Sequence, residues 1–170
     1  RRSLLVGGGV AAAAVGVPAA QKLHWNGKNF AQEGYDPSLP VAPDGRVGWM
    51  NWSGAQKATP RDLVLPVNEN ELAAFVRDSP HRVRPAGSGH SFTALAPTDG
   101  YILQTNYLSG LKAFDDQTGE ATFGSGTLIF EACQALAERG RAFDNLPDVD
   151  VQTLAGAFST ATHGTGENLS

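Results

Sequence analysis

Two short segments hold most of the residues whose types and spacing could do chemistry. The first is Pro85-Ala86-Gly87-Ser88-Gly89-His90-Ser91-Phe92, directly after the strand-like Arg82-Val83-Arg84-Pro85. A glycine-bearing loop in that position can turn successive backbone N–H groups inward and form a nest for phosphate oxygens. Gly87 and Gly89 would supply positive φ and close backbone approach there. The loop lacks the Gly-Lys-Ser/Thr of a P-loop, and two glycines alone are weak evidence. The second segment runs from Leu146 to Gly166. Here Thr153, Ser159, Thr160, Thr162 and Thr165 alternate with Ala155, Gly156, Ala157, Ala161, Gly164 and Gly166. Such a composition makes a poor core and a good cradle, because small side chains admit a flat ligand and hydroxyls bond its polar edge.

Each segment carries one histidine, His90 and His163, about 70 residues apart. On pattern alone, a loop histidine bonded to nearby backbone is the plainer reading of His90. A zinc site built from the pair has no Cys/His or His-Glu-x-x-His spacing behind it, so no metal is expected. His24 and His81 read as linker or surface positions. Cys133 is the lone cysteine, so no internal disulfide is possible, and its helical setting reads as a small buried residue rather than a reactive thiol. Arg82 and Arg84 could pair with phosphate, but a solvent-facing strand flank explains them as well or better.

Positioning these segments requires a folded frame. The 170 residues are 41% hydrophobic and 18% charged, ordinary globular composition with room for one domain and its core. A formal charge of -4 carries no electrostatic footprint for nucleic acid. Asp62 to Val67 predicts a strand. Asn68 predicts a helix cap, and Leu72, Phe75 and Val76 at i, i+3, i+4 predict one buried face. With Arg82 to Pro85 as the next strand, these residues predict a compact β-α-β unit. Tyr101 to Gln104 predicts a further strand. Leu111 to Asp115 and Glu120 to Phe123 predict a hairpin. A helix is expected over Leu128 to Arg139, with Leu128, Ala132, Cys133 and Leu136 available for its buried face and Gly140 ending it. Residues 21 to 60 read as irregular, with Trp49, Met50 and Trp52 anchoring them by burial.

The first twenty residues read as an export leader. Arg1-Arg2 precedes an apolar run from Leu4 to Val17, and Pro18-Ala19-Ala20 follows like a cleavage region. The run falls short of the roughly 20 apolar residues of a comfortable membrane span. The arginine pair resembles a twin-arginine leader, a route that exports folded proteins. This predicts use of the export machinery and a periplasmic or extracellular product, with an uncleaved membrane anchor as the alternative. Gly7-Gly8-Gly9 lacks the strand and acidic residue of a dinucleotide-binding loop. The absent initiator methionine and the Gly-rich close suggest an N-terminal fragment. The expected division is a leader at 1–20, an irregular linker at 21–50 and a truncated ligand-binding domain at 51–170.

Arg84 to Phe92 and Leu154 to Gly166, in this order, resemble the FAD-binding domain of the vanillyl-alcohol oxidase superfamily. Within it the likeness is to sugar-lactone oxidases (gulonolactone and arabinonolactone oxidases among them) and to alditol oxidases. The resemblance covers roughly Asn51 to Asn168. It implies an α+β FAD domain of two parts, followed by a substrate domain missing here. It implies that Ala86, Gly87, Ser88, Gly89, His90 and Ser91 wrap the FAD pyrophosphate, and that His90 is bonded covalently to the flavin 8α-methyl. It further implies cofactor contacts from Thr153, Gly156, Thr160, Ala161, Thr162 and His163, the last as a contact rather than a catalytic base. Asp148 departs from the pattern, where relatives can carry serine. A carboxylate would repel phosphate, so Asp148 is not counted as a contact. The implied activity is oxidation of a CH–OH group of a sugar lactone or polyol, with oxygen or another acceptor taking the electrons. No catalytic residue is assigned, and the fragment alone is expected to be inactive. The alternatives are a dehydrogenase or reductase with non-covalent FAD on the same fold, and an exported binding protein without turnover.

Overall fold

The computed structural model describes residues 40, 42–46 and 48–167. Residues 1–39, with the expected leader and His24, lie outside the described residues. Among the described residues ten elements follow in order: β1 (Trp49–Met50), β2 (Lys57–Ala58), β3 (Asp62–Val64), α1 (Glu69–Asp78), β4 (Val83–Pro85), β5 (Tyr101–Leu103), β6 (Leu111–Phe114), β7 (Ala121–Phe123), α2 (Ile129–Ala137) and α3 (Leu154–Ser159). The fold is α+β.

The central layer is a parallel sheet in the order β3-β5-β4. The expected β-α-β unit is present, but its two strands are not neighbours. Both pair with β5, Leu63 and Arg84 each standing opposite Ile102. The middle position suits Tyr101-Ile102-Leu103, the most apolar of the three strands. Ile102 is wholly buried there, packed with Trp49 and Ala86, while Leu63 and Ala96 close over the cluster.

Helix α1 begins where expected and buries less than expected. The Asn68 side chain accepts the Glu71 N–H at 2.9 Å, and the Glu71 carboxylate accepts the Val67 N–H at 3.0 Å. Such reciprocal capping contributes about 1 kcal/mol. Leu72 and Phe75 are half-buried, Phe75 edge-on to Tyr101 at 5.2 Å, but Val76 is 54% exposed. The apolar stripe is therefore narrower than the i, i+3, i+4 spacing suggests.

Helix α2 buries Ile129, Ala132 and Leu136. It starts one residue later than expected, because Leu128 stays extended and bridges to Thr153. This turns Ile129 inward and leaves Leu128 and Cys133 half-buried. The β6-β7 hairpin forms as expected. Asp115 Oδ1 accepts the Gln117 and Thr118 N–H groups at 2.8 and 3.3 Å, which holds its carboxyl below the usual range.

Two elements correct the sequence reading. The segment read as irregular ends in an antiparallel hairpin, β1 against β2, with Trp49 opposite Ala58. The Gly-rich segment after Thr153 contains α3, whose cap is Thr153 itself.

Candidate cofactor site

The first loop leaves the sheet at Ala86, whose N–H donates to Leu103 O at 2.9 Å. Beyond it the N–H groups of Gly87, Ser88, Gly89, His90 and Ser91 find no acceptor among the described residues. These five consecutive donors belong to half-buried residues that line a cavity, which leaves them available to a ligand there. Gly89 adopts φ +73°, the left-handed region that favours glycine, and its Cα faces the Trp49 ring. Gly87 lies against the Thr153 hydroxyl, with no room for a side chain.

The second segment meets the first at that contact. Thr153 is buried, and its Oγ1 accepts the Gly156 N–H at 3.1 Å, starting α3. Thr160 follows the helix, donating its hydroxyl to Gly156 O at 2.9 Å and lying 3.2 Å from the Thr162 hydroxyl. Ala161, at φ +51°, reverses the chain between them.

Together the segments wall a cavity of about 540 Å³, within the usual range for a small-molecule site. Ala86, Gly87, Ser88, Gly89, His90, Ser91, Thr153, Gly156, Thr160 and Thr162 all line it. Ala161 and His163 do not; His163 is exposed, its Nδ1 2.7 Å from Gly164 O. Asp148 is exposed and outside the lining. A shallower depression of about 630 Å³ lies between β6 and the end of α2, beside Lys112, Asp116 and Arg139, and holds none of the predicted contacts.

Several lining residues escaped the sequence reading, among them Thr105, Ser125 and Gln152, with Phe92 and Leu95 exposed around it. Ser125 had a signal, since Gly124-Ser125-Gly126 repeats the small-residue chemistry of the first loop. Arg84 corrects the expectation of a solvent-facing strand flank. It lines the cavity, and its Nε is buried without a hydrogen-bond partner. Arg82 is exposed.

His90 is half-buried, and burial lowers its pKa from the ordinary 6.5, so the neutral imidazole is favoured. Trp52 corrects the burial expected of it. Only Trp49 is buried; Trp52 is 55% exposed and stacks on the His90 ring, centroids 5.4 Å apart and planes 19° apart. Cys133 stands away from the cavity, its thiol pushed up by burial and then by the Asp150 charge.

The sequence pattern described as an FAD binding domain matches residues 60–170. The L-gulono-1,4-lactone dehydrogenase of Mycobacterium tuberculosis is 41% identical over 128 residues, covering 72% of this chain and 30% of that protein. The D-arabinono-1,4-lactone oxidase of Eremothecium gossypii is 34% identical over 121 residues, 67% of this chain and 23% of the relative. The L-gulonolactone oxidase of Mus musculus is 27% identical over 123 residues, 71% and 28% of the two chains. The chain thus spans less than a third of the length of these relatives. Among solved structures, a cholesterol oxidase from B. sterolicum superposes with a TM-score of 0.58 at 24% identity, covering 74% of this chain and 27% of that one. A solvent-stable cholesterol oxidase gives 0.60 at 20% identity, covering 79% and 27%. These last two likenesses concern the fold.

Proposed function

This chain belongs to the FAD-binding domain family of the vanillyl-alcohol oxidase type, and from that premise we propose that its cavity seats FAD in an oxidoreductase acting on a CH–OH group of a sugar lactone or polyol. The single observation that carries the cofactor assignment is the run of five N–H groups, Gly87 to Ser91, without an acceptor among the described residues and on a cavity wall. Such a run suits a pyrophosphate. The donor set fits the cofactor in two further ways. Arg84 brings a buried, unpaired Nε to the same wall, a cation where two phosphates need one. The small residues Gly87, Ala155 and Gly156 let the two segments close on each other along the cavity wall, with the Thr160, Thr162 and Ser125 hydroxyls at hand for the ligand's polar edge.

When bound, the flavin supplies a two-electron redox centre, and oxygen or another acceptor takes the electrons onward. The chain's own residues hold and orient. Loop 86–91 and Arg84 bind the phosphates, Thr153 fixes α3 against Gly87, and the neutral His90 ring is the attachment point for the 8α-methyl. The lactone or polyol substrate rests on the names of the relatives. Residues 1–20 support export through the twin-arginine route, with FAD acquired before export and the mature protein in the periplasm or outside the cell.

The test is anaerobic mixing of the purified, yellow full-length protein with sugar lactones and alditols. Bleaching of the flavin absorbance by a member of either class is expected. A flavin-loaded protein that no such compound bleaches would overturn the substrate assignment, and a protein that binds no flavin would overturn the whole reading.

A further inference from the structure

The hairpin β1–β2 lies outside the region matched by the family pattern, yet it grips the loop that carries His90. Three of its groups take three carbonyls of that loop. Trp52 N–H donates to Gly89 O at 2.9 Å, Asn51 Nδ2 to Ser91 O at 3.0 Å, and Gln56 Nε2 to Phe92 O at 3.0 Å. Asn51 is only 2% exposed and its amide is fully engaged, donating also to Ser53 Oγ and accepting the Gln56 N–H. In a trans peptide the C=O and the following N–H point in opposite directions. Holding Gly89 O toward Trp52 therefore turns the His90 N–H away from the hairpin, and holding Ser91 O toward Asn51 does the same for Phe92. The hairpin thus takes three of the loop's carbonyls, and the His90 N–H, one of the five free donors, is left facing away from it. Above the same loop the Trp52 indole covers one face of the His90 imidazole. The stack sets an aromatic face beside the ring of a residue that lines the cavity, which disfavours rotation of that ring out of the shared plane.

We propose that the hairpin is a positioning clamp for flavin attachment, with Trp52 as the residue that fixes the His90 ring for bonding. The inference rests on the attachment reading above. In that bond the imidazole gives up its N–H hydrogen and the flavin 8α-carbon gives up one of its hydrogens. The new bond joins nitrogen to carbon, and dioxygen takes both hydrogens and their electrons as hydrogen peroxide. Trp52 does not line the cavity and would act only through His90.

The experiment follows acid-stable flavin against total flavin over time after FAD is added to flavin-free full-length protein, for wild type, Trp52→Ala and Trp52→Phe. Trp52 is exposed and does not line the cavity, so total flavin per chain is expected to stay within about twofold of wild type. Acid-stable flavin should form about tenfold more slowly, or worse, in Trp52→Ala, the scale of a misplaced reacting group. Trp52→Phe, which keeps an aromatic face, should recover most of the rate. A Trp52→Ala protein that bonds flavin at the wild-type rate overturns the clamp and leaves the attachment reading standing. Loss of total and acid-stable flavin in parallel, with no rescue by phenylalanine, overturns it as well. Wild-type flavin released entirely by acid overturns the attachment reading and the clamp with it.

Discussion

Gly87 packs its Cα against the Thr153 hydroxyl, so closely that a Cβ on Gly87 would overlap that oxygen. One residue comes from the loop after β4, the other caps α3, and the cavity lies along their seam. Gly87→Ala should therefore cost about 1–3 kcal/mol, as overpacking does, and should displace the loop enough to lower flavin content. Thr153→Ala removes the cap and should cost about 1 kcal/mol alone. It also removes the oxygen that an alanine at 87 would meet. The double variant should then be more stable than the sum of the two costs implies, by about 0.5 kcal/mol or more. Urea unfolding of all four proteins measures this coupling, and strict additivity would show that the two segments do not press on each other.

Arg84 offers a second test of the cradle. Its Nε is buried without a partner, so the flavin-free protein gains little from it. Arg84→Met should leave flavin-free stability unchanged or raised. In a His90→Ala background, where flavin exchange is reversible, it should weaken FAD binding about tenfold, the worth of a hydrogen bond to a charged group. Titration calorimetry with FAD checks both halves. Unchanged affinity would place the guanidinium away from the phosphates.

The His90 ring predicts a pH dependence whose direction is fixed by burial, the single cause of its lowered pKa. Above the ordinary 6.5 both the folded and the unfolded chain hold the ring neutral, and it adds nothing to stability. As pH falls through 6.5 the unfolded chain takes up a proton first, so stability declines until the lowered folded pKa is reached. Below that value the loss is constant. Flavin attachment needs an unprotonated nitrogen and should follow the folded pKa, flat above 6.5 and falling on the acid side. Initial rates of acid-stable flavin formation across this range test it, and an inflection above 6.5 would contradict a ring buried away from water.

Cys133 should be chemically silent. Burial and the Asp150 charge both raise its pKa above 9.0, so under about 1% is thiolate at pH 7. A disulfide reagent should label it slowly in the native protein and fast after denaturation, and Cys133→Ala should keep full flavin content. Rapid native labelling would place this thiol in a different environment.

The cradle was legible because its chemistry is local. Gly87, Gly89 and His90 sit in one loop, and Thr153 to Thr162 in one segment, so neighbouring residues mark each as a possible wall and the two together point to one ligand. The clamp was not. Strands of two residues, Trp49–Met50 and Lys57–Ala58, are too short for any period to show, and Trp52 reads from sequence as a core aromatic. The place of Arg84 was not legible either: its Nε is buried on the cavity wall, and nothing in the residues around Arg84 marks it as inward-facing rather than a solvent-facing strand flank. Val76 failed for a simpler reason: the caps at Asn68 and Glu71 hold α1 in place without the width of buried face that its apolar residues suggest.

The central claim, that loop 86–91 holds FAD and that His90 bonds it, is tested most directly by protease digestion of the acid-denatured full-length protein and mass mapping of the yellow peptide. One flavin-bearing peptide is expected, the one containing His90, and its disappearance in His90→Ala. A flavin found on another residue, or a colourless pellet with all flavin left in the acid supernatant, would contradict it.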